Sequence, residues 1–198
     1  MLKSNNGEFE QYRASGIGEL LRIVIEQFHI HCSIVREVYE TYGKIPDGKI
    51  LEEQDLSAKS QSIISTVFSG MVIEAFYFDY YQDKNSKTKA EKWSKQSPIK
   101  QFESIAAEYL KVDNVTELEL HKKLEKFGKV RIYWVHNKST KLGSYSKALE
   151  HSTADGNIQM LRELFEFFAV RDEEYEPSKV FFDLLTELQL NVKGYSGA

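Results

Sequence analysis

Cysteine is all but absent from this 198-residue chain, where Cys32 stands alone. One thiol cannot close an internal disulfide or supply a zinc site, so the expectation is a fold without disulfide staples, structural metal or cofactor. Also missing is any apolar run near the roughly 20 residues that span a bilayer. The opening Met1-Leu2-Lys3-Ser4-Asn5-Asn6 lacks the apolar core of a secretory leader, which points to a cytoplasmic protein without membrane contact. The chain carries no GxxxxGKS or GxxxxGKT, no GxGxxG after a strand and no HExxH, which removes the common nucleotide- and metal-dependent enzymes. His29 and His31 are two apart and point away from each other on a helix, unlike an i, i+4 ligand pair. Cys32 falls on an apolar stripe and reads as a small buried hydrophobe rather than a nucleophile.

What is present is a balance of 28% charged and 41% hydrophobic residues, that of a globular domain. The length fits a single domain over residues 1–198, with a core from about 17 to 190 and flexible segments at both ends. Between residues 19 and 42, Leu21, Ile25, Phe28, Cys32, Val35, Tyr39 and Tyr42 recur in steps of three and four, which predicts one buried face of a long helix ending at Gly43. A second helix is predicted from about Ser57 to Tyr81, with Ile64, Phe68, Met71, Ala75 and Phe78 as its main stripe and Ile63, Val67, Tyr77 and Tyr81 beside it. A loop or short helix surrounds Trp93. Ser97-Pro98 reads as a cap followed by proline at the first helical position, opening a helix to Leu110. Thr116-Glu117-Leu118-Glu119 has the capping-box pattern and predicts a helix to about Lys138 along Leu120, Leu124, Phe127 and Trp134. Ile158, Leu161, Phe165 and Phe168 mark another, and Pro177 introduces the last. With no segment of strand period, the expected fold is all-α, an up-and-down bundle of four or five main helices.

The net charge of -4 argues against uniform coating of nucleic acid, but the charge is uneven. From His121 to Ala148, eight Lys or Arg face Glu125 alone, and from Asp83 to Lys100 six Lys face Asp83 and Glu91. Arg131 falls on the line Leu120, Leu124, Phe127, Trp134, where an apolar residue is due. Glu74 interrupts the second helix in the same way, and charges in such places are paired or functional. Two accounts follow: a structural Glu74–Arg131 ion pair, or an arginine bordering a cleft and gripping a phosphate. His136, near the helix end, meets unsatisfied carbonyls that favour imidazolium. About 140° separates it from Arg131 around the axis, so the two flank a cleft or meet counterparts across a two-fold axis.

Arg131-Ile132-Tyr133-Trp134-Val135-His136 resembles the Rx4-6H motif of HEPN domains (higher eukaryotes and prokaryotes nucleotide-binding). Met71-Val72-Ile73-Glu74-Ala75-Phe76 is similar to the second-helix segment of that family, and Glu91-Lys92-Trp93 to the connection that follows. The resemblance spans roughly residues 20 to 170. It implies a HEPN-like bundle forming a homodimer whose two motifs line one cleft, and a metal-independent endoribonuclease of a toxin–antitoxin or phage-defence system, with an antitoxin protein as a possible partner. By the same resemblance Arg131 neutralises the scissile phosphate and His136 handles the proton as the ribose 2′-hydroxyl attacks, leaving a cyclic phosphate. Lys129, Asn137, Lys138 and Lys141 would follow the RNA backbone, Tyr133 or Trp134 would stack a base, and Glu74 would support Arg131. Active members often carry a polar residue directly after the arginine, where this chain has Ile132. That departure favours the alternative, a noncatalytic HEPN-like module that binds RNA, a nucleotide or a partner protein.

Overall fold

Helices begin and end in this computed structural model where local chemistry stops the backbone ladder. The structure describes residues 2–5, 8–11, 16–54, 56–136 and 153–193. Helix α1 spans Ile17–Tyr42 and closes on Gly43 at φ 67°, whose N–H reaches Tyr39 O at 2.8 Å; only a residue without Cβ takes that left-handed cap cheaply. A one-turn helix not anticipated from the sequence, α2 (Gly48–Glu53), follows, capped by Asp47 accepting from Lys49 N at 2.8 Å. Helix α3 runs Lys59–Lys84 and α4, around Trp93, spans Lys87–Trp93. Helix α5 is Pro98–Glu108, with proline in its first turn as expected, though the Ser97 hydroxyl makes no capping bond. Helix α6 is Glu119–His136, α7 Ala154–Arg171 and α8 Glu176–Lys193.

α1 packs along α3, α7 packs on α1, α3 and α8, and α6 lies across α3 with α5 and α7 at its sides. The result is the expected all-helical bundle. A short antiparallel hairpin precedes it, Leu2–Asn5 paired with Glu8–Gln11 in the register Asn5↔Glu8. No strand is expected there from hydropathy, yet the chain carries Asn6-Gly7 between the two segments, the dipeptide favoured in two-residue hairpin loops because both positions tolerate positive φ.

Two local expectations are corrected. Thr116 does not cap α6: Val115–Glu117 form a 3₁₀ turn that buries Val115, and Leu118 takes the flanking position with its carbonyl accepting from Lys122 N at 3.2 Å. Burial of Val115 wins over the local hydroxyl cap. On α3, the stripe expected in the core faces outward in part, with Ile64 37% and Met71 38% exposed. The buried side instead holds Ser62, Ser65, Thr66, Ser69 and Gly70, then Val72, Ile73, Phe76, Tyr77, Tyr80 and Tyr81. α3 has the length and composition to cross a membrane, but half of its most apolar window is buried inside the bundle.

The core is aromatic at the C-terminal end of α3. Phe76 sits edge-on to Phe165 and Phe168 at 5.0 and 4.9 Å, and Tyr80 does the same to Tyr175 at 4.8 Å, the geometry aromatic quadrupoles prefer. Tyr81 stacks on Trp93 at 4.1 Å, and the indole N–H donates to Ser104 Oγ at 2.9 Å.

Candidate functional site

Gly70 decides how α6 meets α3. A Cβ built at Gly70 would collide with Cδ and Nε of Arg131, so the arginine stem lies directly across the missing side chain. One turn further along α3, Glu74 receives the guanidinium end-on: Nη1 donates to Oε1 at 2.6 Å and Nη2 to Oε2 at 3.0 Å. This two-point contact is the strong form of the arginine–carboxylate pair and fixes the fork in one orientation. The pair is not sealed in the core, since the Arg131 side chain is 20% exposed and that of Glu74 41%. Arg131 Nε is buried and finds no hydrogen-bond partner among the described residues.

Arg131 also borders a cavity of about 280 Å³. Its walls are Gly70, Ile73 and Tyr77 from α3, Ser97, Pro98 and Ile99 from the start of α5, and Leu124, Glu125, Phe127, Gly128, Lys129 and Ile132 from α6. Hydrocarbon dominates this lining, and the polar side chains reaching it are few. Tyr77 in the wall is 1% exposed, and its hydroxyl is closed off from solvent with no partner among the described residues. Burial pushes its phenol well above the ordinary value of 10.0, which keeps it a neutral O–H donor at neutral pH.

The sequence-predicted site residues fall into three groups. Arg131 and Glu74 are brought together, in the ion-pair arrangement that was one of the two accounts of them. Lys129 and Tyr133 lie on the same helix but do not converge on that pair: Lys129 is exposed and bridges to Glu125 at 3.1 Å, and the half-buried Tyr133 ring meets Trp134 at 5.0 Å. His136 closes α6, and its side chain, like Asn137, Lys138 and Lys141, lies outside the described residues. The basic run is locally neutralised along α6. Besides Arg131 and Lys129, Lys122 meets Glu119 at 2.6 Å and Lys123 meets Glu163 at 2.6 Å. Three of these carboxylates, Glu74, Glu119 and Glu163, lie outside the stretch over which the charge was summed.

Gly70 and Tyr77 are the site residues that sequence reasoning missed. An isolated glycine inside a helical pattern is a signal of close approach, and Gly70 offered it. Tyr77 offered none, because an unbonded hydroxyl is invisible without its neighbours. Two apolar side chains of α6 near Arg131 in sequence are exposed, Ile132 at 52% and Val135 at 49%, and Ile132 also lines the cavity. Comparison of the chain with protein-family models, curated proteins and solved structures returned no match.

Proposed function

We propose that the chain is a HEPN-type protein that acts on RNA, a metal-independent endoribonuclease in which Arg131 and His136 from two copies line one cleft. The observation that carries this reading is the clamped guanidinium. Glu74 occupies two of the five donors of Arg131, and the guanidinium, on a side chain 20% exposed, is oriented in advance, which is what holding a phosphate in line for attack requires. The exposed Ile132 and Val135 support a second copy covering this side of α6, because apolar side chains of that exposure gain by being buried against a partner. In the reaction the resemblance implies, the ribose 2′-oxygen attacks phosphorus and the 5′-oxygen leaves. Arg131 stabilises the charge that builds on the non-bridging oxygens, and His136 at the helix end moves the proton. A protein antitoxin fits the same reading as a partner that blocks the cleft.

A second reading is favoured by two specific observations. Ile132 stands where active members of the family often carry a polar group, and Glu74 cancels the charge of Arg131. Both suit a noncatalytic module that binds RNA, a nucleotide or a partner protein at the same face. The deciding experiment incubates bulk transfer RNA and a mixed single-stranded pool with wild type, Arg131→Ala and His136→Ala in EDTA, with helical content and oligomeric state checked for each. Under the nuclease reading the wild type cuts, leaves cyclic phosphate ends, and loses roughly a hundredfold or more of its rate in either variant. A folded, dimeric wild type that retards the RNA pool on a gel and leaves it whole moves the assignment to the binding module.

A further inference from the structure

Between Asp83 and Lys100 six Lys face two carboxylates in a chain whose net charge is -4, and the RNA reading built on Arg131 uses none of these cations. We propose that the exposed side of α4 and the turn joining it to α5 form a second contact surface for RNA, where Lys87, Lys92 and Lys95 hold the phosphate backbone without reading its sequence. The choice of RNA as the polyanion rests on the reading above, but not on cleavage by Arg131 and His136.

Neutralisation along this stretch is incomplete. Lys84 meets Asp172 at 3.0 Å, Lys100 meets Glu103, and Lys87 reaches Glu91 at 3.5 Å on the surface. Lys89 Nζ donates to Asn85 Oδ1 at 2.7 Å. Lys92 and Lys95 are exposed and meet no carboxylate among the described residues. The Lys87–Glu91 pair is exposed on both sides, and such pairs are weak enough to yield to a phosphate.

The cations sit on a fixed support. Ala90 and Trp93 anchor α4 in the core at 0% and 8% exposed, with the indole stacked on Tyr81 at 4.1 Å and its N–H donating to Ser104 Oγ at 2.9 Å. Beyond the helix, the buried Gln101 amide donates to Ser94 O at 3.0 Å and to Gln96 O at 2.8 Å, which fastens the backbone on both sides of Lys95. A surface ordered before binding loses less entropy when its ligand arrives.

Charge without exposed apolar surface selects the partner. Helices that bind an anionic membrane also bury an apolar face in it, whereas the apolar side chains of α4, Ala90 and Trp93, are already in the core. Protein interfaces draw on aromatic and arginine anchors and are poor in lysine. Residues 87–95 contain no arginine, and their one aromatic is the buried Trp93. A nucleic-acid backbone needs only cations, because release of its condensed counterions supplies the free energy.

The test follows the fluorescence anisotropy of a labelled 2′-O-methyl oligouridylate, which lacks the attacking hydroxyl and stays intact, as the full chain is added at several salt concentrations. Wild type is compared with Lys87→Gln, Lys92→Gln and Lys95→Gln combined, and with Lys87→Arg, Lys92→Arg and Lys95→Arg combined. A control carries Lys44→Gln, Lys49→Gln and Lys179→Gln, exposed lysines of other segments. The α4 glutamine variant should bind about tenfold or more weakly at low salt. Its slope of log K against log salt should be shallower by about 2, at roughly 0.7 per phosphate contact on a single strand. The arginine variant and the control should bind like wild type. Equal losses in the two glutamine variants would reduce the effect to overall charge and overturn the proposal. Unchanged affinity and slope in the α4 glutamine variant would also overturn it while leaving the RNA reading intact. Tighter binding of wild type to phosphatidylserine vesicles or to polyglutamate than to the RNA would assign the surface to a membrane or an acidic protein instead. A wild type that binds no RNA at any salt removes both readings, whereas one that binds through α4 and cuts nothing keeps this proposal and removes only the nuclease.

Discussion

The two halves of α3 are buried by different physics. Its first half presents Ser62, Ser65, Thr66, Ser69 and Gly70 to the interior, and its second half presents Phe76, Tyr77, Tyr80 and Tyr81. In the first half the contacts are directional. Asn157 of α7 donates to both Ser65 Oγ and Thr66 Oγ1 at 3.1 Å, while the hydroxyls of Thr66 and Ser62 return to Ser62 O and Ala58 O at 2.7 and 2.9 Å. In the second half the contacts are rings filling volume. Small residues let neighbouring helices come close and let hydrogen bonds fix their register, whereas large rings supply most of the apolar burial that holds the bundle together. Arg131 crosses at the boundary between these halves, where a glycine leaves room for its stem and the next turn supplies its carboxylate.

Truncating each half is the largest test of this contrast. Phe76→Ala removes a ring that is 1% exposed and touches Phe165, Phe168 and Tyr175, and should cost about 3–5 kcal/mol in urea denaturation. Asn157→Ala removes the bonds to Ser65 and Thr66 of α3, at a cost of about 1–3 kcal/mol. A loss at Asn157 equal to that at Phe76 would break the division between a volume-filled and a direction-fixed half.

The boundary is tested next, through a reversal of sign. Gly70→Ala drives a methyl into the Arg131 stem and should destabilise by roughly 1–3 kcal/mol. In an Arg131→Ala background the obstacle is gone, and alanine in a helix interior is better than glycine by about 0.5–1 kcal/mol, so the same substitution should stabilise. The two changes are strongly non-additive if Gly70 exists to make room for Arg131. A cost for Gly70→Ala that is the same in both backgrounds would show that α3 needs glycine there for another reason.

This division also explains which parts of the molecule were legible in the sequence. Gly43 and Pro98 marked their elements because each acts locally, through a left-handed cap or a fixed φ. Arg131 and Glu74 stood out because a charge in an apolar stripe is conspicuous, and their pairing was one of two accounts open for them. The inner side of α3 was misread because serine, threonine and glycine do not register as core residues in a hydropathy pattern, so the stripe through Ile64 and Met71 looked stronger than the one the bundle buries. Close approach, not hydropathy, chose the face. The hairpin had its signal in Asn6-Gly7, which a search for strand periodicity does not weigh. The cavity had none, since its walls are brought together from α3, α6 and the start of α5.

The smallest expected effect separates the two halves by pH. At the aromatic end, Asp172 accepts from Tyr80 Oη at 2.7 Å and from Lys84 Nζ at 3.0 Å. Burial opposes ionisation of Asp172, but the hydrogen bonds from Tyr80 and Lys84 outweigh it and hold the carboxyl below its ordinary value of 3.8. A carboxyl depressed on folding contributes stability that is fully present above its unfolded value, and that contribution is lost as pH falls through the folded one. Asp172→Asn should therefore be less stable than wild type near neutrality, and the gap should narrow as pH falls below about 4, read from urea midpoints at successive pH values. Asn157→Ala should instead follow wild type at a constant offset, because the amide and hydroxyls it disconnects do not titrate there. Parallel curves for Asp172→Asn and wild type down to the acid limit would mean that the Tyr80–Asp172–Lys84 contact does not depend on the charge of Asp172, and the two halves of α3 would then differ only in the size of what they bury.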